Sequence, residues 1–356
     1  MERQFVPYDG DGCNWQVTSG VCHLKAYRGA SSLLCKQEKR SSLNMKALEL
    51  SREYFRGVAE PSLKQDFPDL YPRLAAGLVG NGSECYGYDD ELSRDHDWGV
   101  DFFIWTGESD SGKIPQLQEW KNRLIENHPP DFPRARSEYG ANVSVMTCSS
   151  FYRSIIGSPC APQTINEWLR APEENYSLVT NGEVFIDGTG EFTGIRNDLL
   201  GYYPEDIRLK RIASKCMLLA QSGQYNHERT AKRGDWVTLR TVISRFTDHA
   251  IAMVFLLNKT FRPYYKWAFR AMKELPIIGS QAARLLLLIA ETGSLDEGGT
   301  AQRQKYMSEL CGIFIRELET QNLAQSDDWF LTTQGEEVQS LIVDEFLRSL
   351  PTQYEI

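Results

Sequence analysis

From Pro204 to the end of the chain, apolar residues recur at helical spacing in one run after another, at about 204–221, 235–258, 263–274, 280–291, 300–321 and 333–349. Spacings of three and four residues place such side chains on one face of a helix, and an apolar face must be buried against a neighbour. A chain that repeats this pattern solves the burial problem by packing its helices on one another, so a helical bundle is expected over 201–356. Pro204 fits the start of the first run, where a missing N–H costs nothing.

Upstream the texture is mixed. The stretch "MKALELSREYFRGVAEPSL" follows a polar cap at 42–44 and carries a helical stripe of Leu48, Leu50, Tyr54, Phe55 and Val58. "YPRLAAGLVG" (71–80) fits a short buried strand ended by Gly80, Asn81 and Gly82, and "HDWGVDFFIWT" (96–106) fits a second strand. A helix is expected at "KIPQLQEWKNRLIEN" (113–127) and a third strand at "ANVSVMTCSSFY" (141–152). In "YSLVTNGEVFIDGTGEF" (176–192), a strand or hairpin is bounded by Asn181-Gly182 and Gly188. Together these predict an α+β architecture: an α/β-type domain with a short mixed sheet over 44–200, then the helical bundle. Residues 1–43 show neither periodicity and are expected to be a poorly ordered extension.

Hydrophobic residues make up 41% and charged residues 24% of the 356, which suits a folded globular chain rather than a disordered or fibrous one. The net charge of -9 argues against a general nucleic-acid binder, which needs a basic field to neutralise phosphates. The longest apolar run, around "LLLLI" at 285–289, is too short to cross a bilayer. Eight cysteines at 13, 22, 35, 85, 148, 160, 216 and 311 form no C-x-x-C or zinc-like spacing. With an opening that lacks the layout of a secretory signal, they point to reduced thiols and a cytoplasmic location.

Chemistry concentrates in "GSECYGYDDELSRDHDWGVDFFIWT" (82–106), which holds seven carboxylates. Asp95 and Asp97 are one residue apart, so on a strand both leave the same face with Cα atoms about 6.6 to 6.8 Å apart. Two such carboxylates repel unless a cation, protons or solvent intervene; a divalent ion is an effective solution, and Mg²⁺, or Mn²⁺ in its place, suits a few carboxylates combined with substrate phosphates. Just after the first strand, Gly82 and Ser83 offer a turn whose backbone N–H groups and hydroxyl can hold phosphate oxygens. His96 points away from the two aspartates on a regular strand and is expected to be structural. The other acids, Glu84, Asp89, Asp90, Glu91 and Asp101, are expected to cap turns or face solvent.

The string "GLVGNGSECYGYDDELSRDHDWG" resembles the glycine-serine, spacer, Asp-x-Asp signature of the DNA polymerase beta-like nucleotidyltransferase superfamily, and within it a domain-of-unknown-function branch of predicted nucleotidyltransferases. The resemblance runs from about Met45 into "KRGDWVTLRTVISRFTDHAIAMVFLLNKTFRPYYKWAFRAM". It implies that Gly82 and Ser83 hold a nucleoside triphosphate and that Asp95 and Asp97 ligate Mg²⁺. A hydroxyl of an acceptor, a small molecule or a protein, then takes AMP from ATP and pyrophosphate leaves. Arg94 either touches phosphate or pairs with Asp90 or Glu91. Lys266, in "FRPYYKWAF", sits where helical-domain lysines of similar transferases reach the phosphates. Lys232, with His227, Arg229 and Arg233, belongs to a basic stretch that suits either a triphosphate or a solvated helix start. One position departs from the superfamily: where a third carboxylate is usual, "ANVSVMTC" has Ser144, which can serve neither as a base nor as a strong Mg²⁺ ligand. Glu138, Glu183 and Asp187 are the candidate substitutes, and the alternative function is a nucleotide-binding regulator that lost turnover. "DGDGCNW" (9–15) lacks the acid a calcium loop needs at its twelfth position, and no P-loop is present.

Overall fold

Residues 46–95, 98–134 and 144–356 are described by the computed structural model, and Lys46–Ile356 forms one compact unit. The chain enters through helix α1 (Ala47–Tyr54), which passes through a π turn (Phe55–Ala59) into α2 (Glu60–Asp66). Ala47, Ser51, Phe55, Ala59 and Leu63 are all fully buried. A stripe at every fourth residue would drift around a regular helix of 3.6 residues per turn. The wider π turn takes up the drift and keeps the stripe on one face.

Strands β1 (Ala75–Leu78) and β2 (Phe103–Thr106) precede α3 (Ile114–Asn127); β3 (Val145–Thr147) runs directly into α4 (Cys148–Ile156). After α5 (Ile165–Trp168) and α6 (Glu173–Thr180) come β4 (Glu183–Asp187) and α7 (Glu191–Leu200). The strands form one mixed sheet in the order β3-β2-β1-β4, with β1 antiparallel to both neighbours and β2 parallel to β3. Alternate residues feed opposite faces, as the pleat requires. Ala75 and Trp105 join the core that contains Phe151, Tyr176 and Phe192, while Ala76 and Ile104 join the core beneath α1, α2 and α3 with Phe55, Leu117 and Trp120. The sheet is therefore covered by helices on both faces, and Trp105 stacks on Phe192 with ring centroids 3.9 Å apart.

Two strand expectations are corrected, and the strand or hairpin expected at 176–192 resolves to its strand. The second strand starts at Phe103 rather than at 96, because Gly99 takes φ +134° and Val100 donates to Phe132 O at 2.7 Å instead of pairing with β1. The third is only Val145–Thr147: the Thr147 hydroxyl accepts from Ser150 N–H and caps α4, turning the next residues helical. Tyr176–Thr180 is the end of α6 and not a hairpin arm, although β4 does lie between Asn181-Gly182 and Gly188.

Beyond Gly201 the chain is helical: α8 (Glu205–Leu219), a π turn (Ala220–Asn226), α9 (His227–Lys232), α10 (Trp236–Leu257), α11 (Tyr265–Met272), α12 (Gly279–Glu291), α13 (Glu297–Thr320), α14 (Leu331–Ser340) and α15 (Glu345–Ser349). The α+β class expected from the sequence is the observed one. Helix α10 is the axle of this part, with Ala250 to Leu257 buried without a break, the mark of a helix surrounded on all sides. Its last carbonyls are met by buried Arg208, which donates to Leu256 O at 2.9 Å, and by Gln321, which donates to Leu257 O at 3.0 Å. Among the described residues no helix is long and apolar enough to cross a membrane, and Cys85, Cys148, Cys160, Cys216 and Cys311 are free thiols.

Candidate functional site

The strand directions give the sheet two unlike ends. Because β1 runs against the others, its C-terminal end meets the N-terminal ends of β2, β3 and β4, with Gly77 opposite Phe103 and Leu78 opposite Glu183. At that one end the chain leaves β1 through Gly80–Ser83 and enters β2 from Trp98–Phe102, β3 from Ser144 and β4 from Asn181-Gly182.

The loop after β1 is held rigidly. Gly80 (φ +118°) and Gly82 (φ +130°) adopt backbone conformations that favour glycine. Gly80 and Asn181 exchange a reciprocal pair of hydrogen bonds, Gly80 N to Asn181 Oδ1 and Asn181 Nδ2 to Gly80 O, both 2.8 Å. Gly182 N donates to Cys85 O at 2.8 Å. Ser83 opens a single 3₁₀ turn, Glu84–Tyr86, and its carbonyl accepts from Tyr86 N and Tyr88 N. A Cβ on Gly82 would come within 2.3 Å of the Glu84 carboxylate, so glycine is what allows that carboxylate to lie over the turn.

Asp95 does not stand on a strand. It ends a 3₁₀ turn, Leu92–Asp95, so the strand geometry expected there does not hold for Asp95. His96, Asp97 and Glu138 lie outside the described residues. Arg94 stacks over the Trp98 ring, 4.6 Å from its centroid. Three of the neighbouring acids are buried instead of solvated. Glu84 pairs with Arg134 at 3.0 Å, and Asp89 accepts from Trp98 Nε1 and Ala47 N, both at 2.9 Å. Asp101 pairs with the fully buried Lys121 at 2.7 Å. Asp90 is the expected cap: it accepts from Ser93 Oγ and Ser93 N, and these bonds, the hydroxyl's first, hold its carboxyl below the usual range.

Reasoning from sequence missed the arginines that flank the loop. Arg134 donates to Asn81 O at 3.3 Å while pairing with Glu84. It is delivered there because residues 132–134 run beside Gly99-Val100, where a Cβ on Gly99 would come 2.8 Å from the Arg134 backbone. Arg196, on α7, donates to Thr180 O at 2.8 Å and Gly182 O at 3.2 Å. On the helical side it is Arg270, one turn beyond Lys266, that reaches the loop: it donates to Tyr88 O at 2.8 Å and stacks over the Tyr88 ring at 4.6 Å. The only advance signals for these residues were position after a proline and one more helical turn, neither of which singles out a cation.

Lys266 is exposed and lies over Trp267, whose ring is 5.8 Å from Tyr88. Lys232 is exposed on α9 and pairs with Glu228 one turn earlier at 3.5 Å; that helix packs on α10 and α13, so Lys232 takes the solvated-helix reading. Ser144 is buried immediately before β3, its N–H bound to Gln118 Oε1 and its hydroxyl without a partner among the described residues. Of the candidate substitutes for an acid there, Glu183 is at the right end of the sheet but pairs with Arg52 at 2.8 Å. Asp187 is at the opposite end, where it accepts from Gly190 N and Thr193 N, and it is set aside.

A family model described as a domain of unknown function, DUF4037, matches residues 168–268. No curated protein and no solved structure matches the chain. The matched stretch includes the Asn181-Gly182 clamp, β4, Arg196 and Lys266, and it leaves Gly82, Ser83, Asp95 and Asp97 outside.

Proposed function

We propose that the protein is a nucleotidyltransferase that moves AMP from ATP to an acceptor hydroxyl. What supports this reading above all is the shared sheet end, where the clamped glycine-serine turn and the buried Ser144 meet the Trp98–Phe102 entry to β2, which in the sequence follows directly on Asp95-His96-Asp97. The sequence offers Mg²⁺ or Mn²⁺ two hard carboxylates one residue apart. Asp95 and Asp97 would hold the ion, which when bound neutralises charge on the phosphate oxygens. The rest of the work is positioning. The Gly80–Ser83 backbone carries the triphosphate, Arg134, paired with Glu84, braces the loop at Asn81 O, and Lys266 adds positive charge from the helical side. A cytoplasmic location agrees with the free thiols.

A nucleotide-binding regulator without turnover is the second reading, and Ser144 is the observation that favours it, since the described candidate substitutes are engaged elsewhere, Glu183 by Arg52 and Asp187 at the opposite end of the sheet. The purified protein incubated with ATP and Mg²⁺ across an acceptor panel is expected to release pyrophosphate, and Asp95→Asn and Asp97→Asn to abolish both release and Mg²⁺-dependent ATP binding. Binding without release supports the regulator. Unchanged binding in both variants overturns the site.

A further inference from the structure

A cavity of about 400 Å³ opens between the segment that follows the glycine-serine turn and the helical part. Its first wall is Cys85, Tyr86 and Tyr88, continuous with the loop through the Gly182–Cys85 hydrogen bond. Its opposite wall is Tyr202, Phe255, Phe261, Ala271 and Leu275. Tyr86 and Tyr88 lie nearly parallel, at 13° with centroids 6.0 Å apart, and Tyr202, Phe255 and Phe261 are buried in the wall. This volume and lining suit one small ring system, since ligand cavities are mostly apolar and aromatic with a few placed polar groups.

The polar part of the lining is neutral. Ser177, Thr180, Asn181 and Thr260 are its uncharged polar members, and their side chains already bond to Tyr86 Oη, Tyr176 O, Gly80 and Asn258 O. The two charged members are of opposite sign and each is engaged: Lys259 pairs with Glu205 at 3.3 Å, and Glu274 accepts from Tyr88 Oη at 3.4 Å. The cation of the lining is held by Glu205 and its anion is Glu274, so an anionic guest would be repelled, and a charged guest of either sign would pay its own desolvation. Backbone conformation singles out the same place. Of the four non-glycine residues with left-handed φ among the described residues, Tyr202 (+75°) and Lys259 (+49°) both line the cavity, and such conformations concentrate at ligand sites.

We propose that this cavity binds an uncharged aromatic alcohol or phenol, and that this class is the acceptor. The acceptor role rests on the phosphate-loop reading above; the binding itself does not. In the transfer, the guest's hydroxyl oxygen bonds to the α-phosphorus, the bond from that phosphorus to the oxygen bridging to the β-phosphate breaks, pyrophosphate leaves and the hydroxyl proton passes to water.

The test uses the full chain with para-cresol as probe, benzylamine and benzoate as charged controls, and titration calorimetry as readout. Para-cresol is expected to bind at least about tenfold more tightly than either control. Ala271→Leu, which fills the cavity, should remove that binding, and Leu200→Arg, at its exposed rim, should weaken it in a chain whose fold is not at risk. Equal binding of the charged controls, or para-cresol binding unchanged in both variants, overturns the cavity assignment. A saturating non-hydrolysable ATP analogue with Mg²⁺ is expected to leave para-cresol bound, and MgATP itself to convert it to its adenylyl ester; displacement by the analogue overturns the acceptor role and makes the cavity part of the nucleotide site. If ATP does not bind at all while para-cresol does, the cavity stands and the phosphate-loop reading falls.

Discussion

At the scale of single residues, Gly82 and Gly87 differ in both costs of adding a Cβ, backbone strain and steric clash. Both have positive φ, +130° and +67°, but a Cβ on Gly87 meets nothing within 4 Å, whereas one on Gly82 would drive into the Glu84 carboxylate. Glu84 is 1% exposed and paired with Arg134, so it cannot swing away without leaving a buried charge uncompensated. Gly87→Ala should therefore lose about 1 kcal/mol from backbone strain alone, and Gly82→Ala about 2–3 kcal/mol more, measured by denaturant unfolding. Equal losses would show that Glu84 relaxes freely. The glycines were legible in the sequence as a turn, because chemistry at a positive φ announces itself. Glu84 was not, because nothing local marks a carboxylate that will be buried against an arginine fifty residues later.

At the scale of elements, hydrophobic periodicity located most helices within a few residues, including α10 and α13, because each buries a long stripe and the stripe is written along the chain. The short strands were harder. Phe103–Thr106 and Val145–Thr147 are bounded by a left-handed glycine and by a threonine cap, local events that an apolar run does not reveal. Helix α11 shows the same limit: its existence was legible, but not which of its cations faces the loop. Arg270 makes a charge-assisted hydrogen bond to Tyr88 O and covers the Tyr88 ring, while Lys266 is exposed. Arg270→Gln is expected to cost about 1–2 kcal/mol in unfolding free energy. Lys266→Ala should stay within about 0.5 kcal/mol and, on the nucleotidyltransferase reading, weaken ATP binding instead. A reversal of the two effects would exchange their roles.

At the scale of the whole molecule, one apolar cluster runs from Ala75 and Trp105 in the sheet through α10 to Leu347, so the helical part shares a core with the sheet's outer helices. Ionisable groups that touch this core couple its stability to pH. His249, on α10, has its pKa pushed down to about 4 from 6.5, first by burial and then by Lys215, whose Nζ is 3.5 Å from Nδ1; Glu355, Asp248 and Arg245 also face it. His227 is shifted the same way, again chiefly by burial. A histidine with a lowered folded pKa stays neutral in the fold while the unfolded chain takes up the proton first. Its contribution is therefore complete above the unfolded value and is lost as pH falls through 6.5 towards 4. Melting temperature should accordingly drop over that interval, and His249→Gln, which cannot titrate, should flatten the drop without changing the plateau near neutrality by the same amount. An unchanged slope in the variant would assign the acid sensitivity to other groups, His227 first among them.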